Sequence, residues 1–387
     1  GQAAAQRRAG GDRLHRGLVT PAGWPRRAAG ASIALLCLLL VPLVAGAGLD
    51  VPPTPGEVAR LERALDPEAV GARSLVADAY LLAAAGREPG PLPTAAAEIA
   101  SLVTRARIFQ LGVLFAIGGL TYVALLLARG RLVAALACAA FAVQPAVLSA
   151  GHVLRPEAVA TAFALLAVVQ LQCLAALSRA ARRGVRPLLA AQMLGVGGSA
   201  AVCIGLSLAA QPDQAALVLA PGLVMTAHGV QMGWRALGLV RRRGWLRLPI
   251  RAINRRLVPW TAMSLGLLGI AAMVLGVGLR GAADQLGPTL TGCGLLPAEG
   301  PARWLGGIVA VGGALLVLVR TGTRLGRSAR VAPDFVLLAA AATVLAGAWP
   351  APPGADGLRG APYMAWLVAE AALAVLAVVG RRRRSNR

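Results

Sequence analysis

The chain has 387 residues, 57% of them hydrophobic and 14% charged, yet its formal net charge is +23. Apolar content at that level excludes an ordinary soluble domain and points to a membrane protein. The positive charge lies in short segments between apolar runs, without aromatic interleaving or a nucleic-acid motif, so anionic lipid and topology explain it better than nucleic acid.

Read in chain order, the sequence opens with a basic tail, residues 1–27, that carries Arg7, Arg8, Arg13, Arg16, Arg26 and Arg27. Ten apolar segments follow, over 28–47, 108–128, 132–150, 156–177, 187–209, 214–234, 258–279, 304–319, 334–349 and 363–379. Most are long enough to cross a hydrocarbon core at helical rise. The first is too long, and its end too poor a cleavage site, for a removed signal peptide, so it is expected to stay as an anchor. Since the chain opens at Gly1 without methionine, its N-terminus is expected to be truncated or processed.

The arginine clusters alternate with these segments. Arg129 and Arg131 follow the second, Arg179 to Arg186 the fourth, the basic loop 235–257 the sixth, Arg320 to Arg330 the eighth, and Arg381 to Arg384 the last. By the positive-inside rule they all face one side, which puts both termini in the cytoplasm. The expected fold class is therefore an all-α polytopic integral membrane protein with about ten transmembrane helices, spanning 28–380 between two basic cytoplasmic tails, 1–27 and 381–387. A bacterial plasma membrane is the expected location.

Only the connection 48–107 is long enough to hold structure of its own. It begins with Asp50 and a proline-rich turn, then places Val58, Leu61 and Leu65 at helical spacing with Glu57, Arg60, Glu62 and Arg63 on the other faces. This predicts an amphipathic helix suited to the membrane surface. A second helix is expected over about 68–85, and a third from Thr94 toward Arg105 and Arg107 at the mouth of the second span.

The most suggestive stretch is 107–177. Arg107-Ile108-Phe109 leads into an apolar span, Arg129-Gly130-Arg131 makes a tight turn, and the next span carries Gln144-Pro145, whose proline is expected to kink it, and ends at Gly151-His152. Arg155-Pro156-Glu157 then opens another apolar helix. This order resembles the GT-C membrane glycosyltransferases, in particular the protein mannosyltransferase and aminoarabinose transferase branch, over residues 28–180. There a proline-bearing third span commonly precedes an outer loop ending in Arg-Pro-Asp.

The resemblance implies a GT-C-like fold with a helical first extracytoplasmic loop, a sugar donor linked to a polyprenyl phosphate, transfer on the outer face, and a catalytic carboxylate in that loop. The glycan, lipid or protein acceptor is left open. The chain departs from the family twice. Where members carry an Asp-Glu pair it reads Gly56-Glu57, and Arg-Pro-Asp is replaced by Arg155-Pro156-Glu157.

In such a reaction a carboxylate takes the acceptor proton, and a cation stabilises the charge that grows on the leaving phosphate. Glu57 or Asp50 is the candidate base. Arg155 leads the substrate-binding candidates, with Arg105, Arg107 and His152 behind it and Glu157 to orient Arg155 or the acceptor. Each has a plainer use: an acid beyond a span as a loop residue or helix cap, Arg155 as a snorkelling anchor, Glu157 as a helix-start charge.

No histidine, cysteine or acid spacing indicates a metal or cofactor. Glu370, near the middle of the last apolar segment, is expected to face other helices or a cavity rather than lipid. Two other function classes compete: a catalytically inactive GT-C-like scaffold in envelope assembly, favoured by the missing Asp-Glu pair, and, behind it, a secondary transporter.

Overall fold

The computed structural model describes residues 51–66, 75–88, 90–155, 157–181, 187–210 and 357–385, with Ala340, Ala341 and scattered residues of 35–49. The predicted spans 214–234, 258–279 and 304–319, the loop 235–257 and Asp50 lie outside the described residues, as does nearly all of 334–349.

Among the described residues the regular secondary structure is all helical. In chain order the helices are α1 Pro55–Leu65, α2 Leu75–Ala85, α3 Ala96–Ala128, α4 Arg131–Ala142, α5 Pro145–His152, α6 Glu157–Ala181, α7 Pro187–Ala210 and α8 Gly357–Ser385. Among the described residues α3 and α6 are long and apolar enough to cross a membrane, and α4 with α5 makes a third if the bent pair counts as one span. The described part is thus that of a helical membrane protein. Large apolar side chains turned outward, Val123, Leu127, Leu132, Leu367 and Leu376 among them, suit a surface facing lipid.

One expected boundary is absent. The helix predicted from Thr94 and the second span are one helix, α3, whose 33 residues run about 50 Å. No proline intervenes from Ala96 to Ala128, and the Gly118-Gly119 pair is held within the helix. The third span bends at its proline, as expected: α4 and α5 meet at an angle of 51°. Val143 and Gln144 interrupt the helix there, and Pro145 begins α5 at its first turn, where a missing N–H costs nothing.

Around α3 the packing forms one core with α4, α6, α7 and α8. Gly130, with φ +95°, supplies the left-handed turn that reverses the chain between α3 and α4. α1 and α2 lie over the other end of this bundle. The apolar face of α1, Leu61 and Leu65, packs on Ala85 of α2 and on Leu102 and Val103 of α3. The face predicted to lie on a membrane surface is therefore used within the chain, because the extra turns of α3 give it a protein wall to bury against. We call this the capped end.

At the opposite end Arg129, the cap residue of α3, meets Glu370 of α8 at 3.1 Å, and Trp366 donates its indole N–H to the same carboxylate oxygen. Glu370 is 38% exposed. It faces another helix as expected, from near the middle of α8 toward the end of α3.

Candidate functional site

Of the residues singled out from the sequence, Glu57, Arg107, His152, Arg155 and Glu157 gather at the capped end, around the Glu57 carboxylate. Thr54-Pro-Gly-Glu57 is a capping box: Glu57 N–H donates to Thr54 Oγ1, while Thr54 N–H and its hydroxyl donate to Glu57 Oε2 at 2.9 and 3.0 Å. The motif aims Glu57 inward from the first turn of α1, toward α3. There Arg107 Nε donates to Oε1 at 2.9 Å and Nη2 to Oε2 at 2.7 Å, a bidentate pair. Leu154 N–H, from the turn between α5 and α6, donates to Oε1 at 2.7 Å.

Glu57 and Arg107 are 0% and 1% exposed. Burial by itself pushes the Glu57 carboxyl up, but the Arg107 guanidinium, the Thr54 and Leu154 amides and the Thr54 hydroxyl outweigh it and hold the group down at about 2. Five donors occupy a carboxylate that offers about four lone-pair sites. Held this way it has no acceptor site for a substrate hydroxyl and little affinity for its proton. Arg107 likewise faces Glu57 and, through Nη1 at 2.6 Å, the Val51 carbonyl.

The clasp nevertheless brings together the segments predicted to share a site. Val51, next to Asp50, and Leu154, next to Arg155, are tied to one ion pair. Arg155, His152 and Glu157 flank the same turn and are half-buried. Among the described residues His152 Nδ1 and Glu157 Oε2 are buried without a hydrogen-bond partner, as is the hydroxyl of Tyr80, which packs from α2 in one apolar cluster with Leu154. Burial pushes the Tyr80 phenol up. Arg105 stands apart: it is exposed and lies two residues from Arg107, on a different face of α3.

Two residues that sequence reasoning passed over complete the turn. Gln110, fully buried on α3, donates its Nε2 to the Ala150 carbonyl and to the Val153 carbonyl at 2.8 Å, and accepts the Arg155 N–H on Oε1 at 2.6 Å. Arg60 Nη1 donates to the Leu154 carbonyl at 2.6 Å. A lone glutamine near the start of an apolar span was the available signal for Gln110, since a polar side chain there needs partners. The capping-box spacing was the signal for Glu57.

Among the described residues no group of three His, Cys, Asp or Glu side chains is placed to hold a metal ion. Comparison of the chain with protein-family models, with curated proteins and with solved structures gave no match.

Proposed function

We propose that this protein is a ten-span GT-C-like membrane glycosyltransferase, with both termini cytoplasmic, that transfers a sugar from a polyprenyl-phosphate donor to an acceptor on the outer face of a bacterial plasma membrane. The observation that carries the reading is the closure of the 48–107 loop onto the Arg155 turn through Glu57. It supports one junction between a loop acid and a phosphate-binding cation. In this reading Glu57 is the clasp, Asp50 takes the acceptor proton, and Arg155 meets the donor phosphate. Asp50→Asn in purified protein should then lower sugar transfer from a polyprenyl-phosphate donor by about 10²-fold or more. Full activity in that variant sinks the assignment of the base.

A second reading, the inactive scaffold, is favoured by the occupied Glu57 carboxylate and by glycine at position 56. A Cβ at Gly56 meets nothing within 4 Å, so the backbone there has room for a side chain to begin. If the unmodified chain transfers no sugar and Gly56→Asp does, the site has lost its base and the scaffold reading holds.

A further inference from the structure

The turn between α5 and α6 presents a problem that its own residues do not solve. Val153, with φ −127° and ψ 131°, is extended, and Arg155 precedes a proline, which also biases it away from helix. The amides of such a segment have no helical partner, and leaving one buried and unpaired is costly. Here side chains from elsewhere supply the partners. Gln110 takes the Val153 carbonyl and the Arg155 N–H, Glu57 takes the Leu154 N–H, and Arg60 takes the Leu154 carbonyl. Arg155 is the hand-over point, because its own carbonyl accepts the Ala158 N–H and starts α6.

We propose that Gln110 is a positioning residue whose carboxamide, together with Arg60 and Glu57, sets the backbone of 153–155 and so fixes where Arg155 meets an anionic phosphate headgroup. The inference rests on the phosphate-binding role of Arg155 proposed above, and not on catalysis. Gln110 suits the task because a carboxamide carries donors and an acceptor on one planar group. It therefore spans a carbonyl and an N–H two residues apart, which neither leucine nor a carboxylate can do. The support comes from α3 and from the cap together, so the turn is set before any ligand arrives, and affinity is not spent on ordering it.

The test uses the full chain in detergent, with undecaprenyl phosphate as the lipid probe and inorganic phosphate as the free-anion arm. Gln110→Leu, or Arg60→Met if the first variant does not fold, should speed amide exchange at Leu154 and Arg155 by about tenfold or more while amides within α3 and α6 keep their protection. The same variant should weaken undecaprenyl phosphate binding by about tenfold, and should add no further loss in an Arg155→Ala background. Additive losses in that cycle, or unchanged lipid-phosphate affinity with a loosened turn, would show that Gln110 supports the fold only and would overturn the proposal. Binding of inorganic phosphate with equal affinity would assign the site to a free anion while leaving the positioning role intact. A wild-type chain that binds the lipid phosphate but transfers no sugar defeats the transferase reading without touching this one; failure to bind either probe defeats this one.

Discussion

Glu57 shows how one carboxylate can be read as reactive in the sequence and be structural in the fold. Its worth depends on charge: with the Arg107 pair buried, Glu57→Gln leaves a guanidinium without its counter-ion and should cost on the order of 3–5 kcal/mol. Adding Arg107→Met should restore part of that loss, which thermal unfolding in detergent would measure as a non-additive cycle. The pH dependence has a definite sign. The folded value, about 2, lies below the ordinary 4.5, so the stabilisation is present above pH 4.5 and is lost as the pH falls from there toward 2. A depression of that size corresponds to roughly 3 kcal/mol. Wild-type protein should therefore lose stability over that interval more steeply than Glu57→Gln; parallel curves would show that the carboxylate is not held as described. The acid character of the site was legible in the sequence, but its availability was not, because that depends on Arg107, fifty residues away, and on the Leu154 amide, ninety-seven away.

At the level of elements, periodicity located the helices and misjudged how they join. The 94–107 helix and the second span read as two elements because composition changes from mixed to apolar near Ile108, yet helical hydrogen bonding takes no notice of that change and α3 continues through it. The division of the third span was signalled by Gln144-Pro145, but its 51° angle is set by what the two pieces pack against. Close packing of α3 makes a prediction at this scale. Gly118 faces Leu38 and Phe141, and a Cβ added there collides with the end of the Leu38 side chain. That side chain can turn aside, so Gly118→Ala should cost less than about 1 kcal/mol. Gly118→Leu overfills the notch and should cost about 1–3 kcal/mol. Equal melting temperatures for the two variants would show that the first apolar run does not lie against α3.

For the molecule as a whole the proposed topology is tested most directly by labelling. Single cysteines replacing the exposed Glu62 or Arg87 of the cap should react with an impermeant thiol reagent added outside the cell, and one replacing Arg243 should not. The reverse pattern, or labelling of all three, rejects the orientation. The sequence by itself determined the class of the molecule: apolar runs of spanning length, separated by arginine clusters, leave the backbone no better way to satisfy its hydrogen bonds than helices in a membrane. It also marked the acids and cations of 48–157 as the place to look. What only the tertiary structure decided is which of those charges are spoken for. Pairing Glu57 with Arg107 and moulding the 153–155 turn with Gln110 and Arg60 join residues distant along the chain, unlike the local capping box with Thr54. A buried charge or amide takes whatever partner the packing brings within about 3 Å, and local sequence carries no record of that distance.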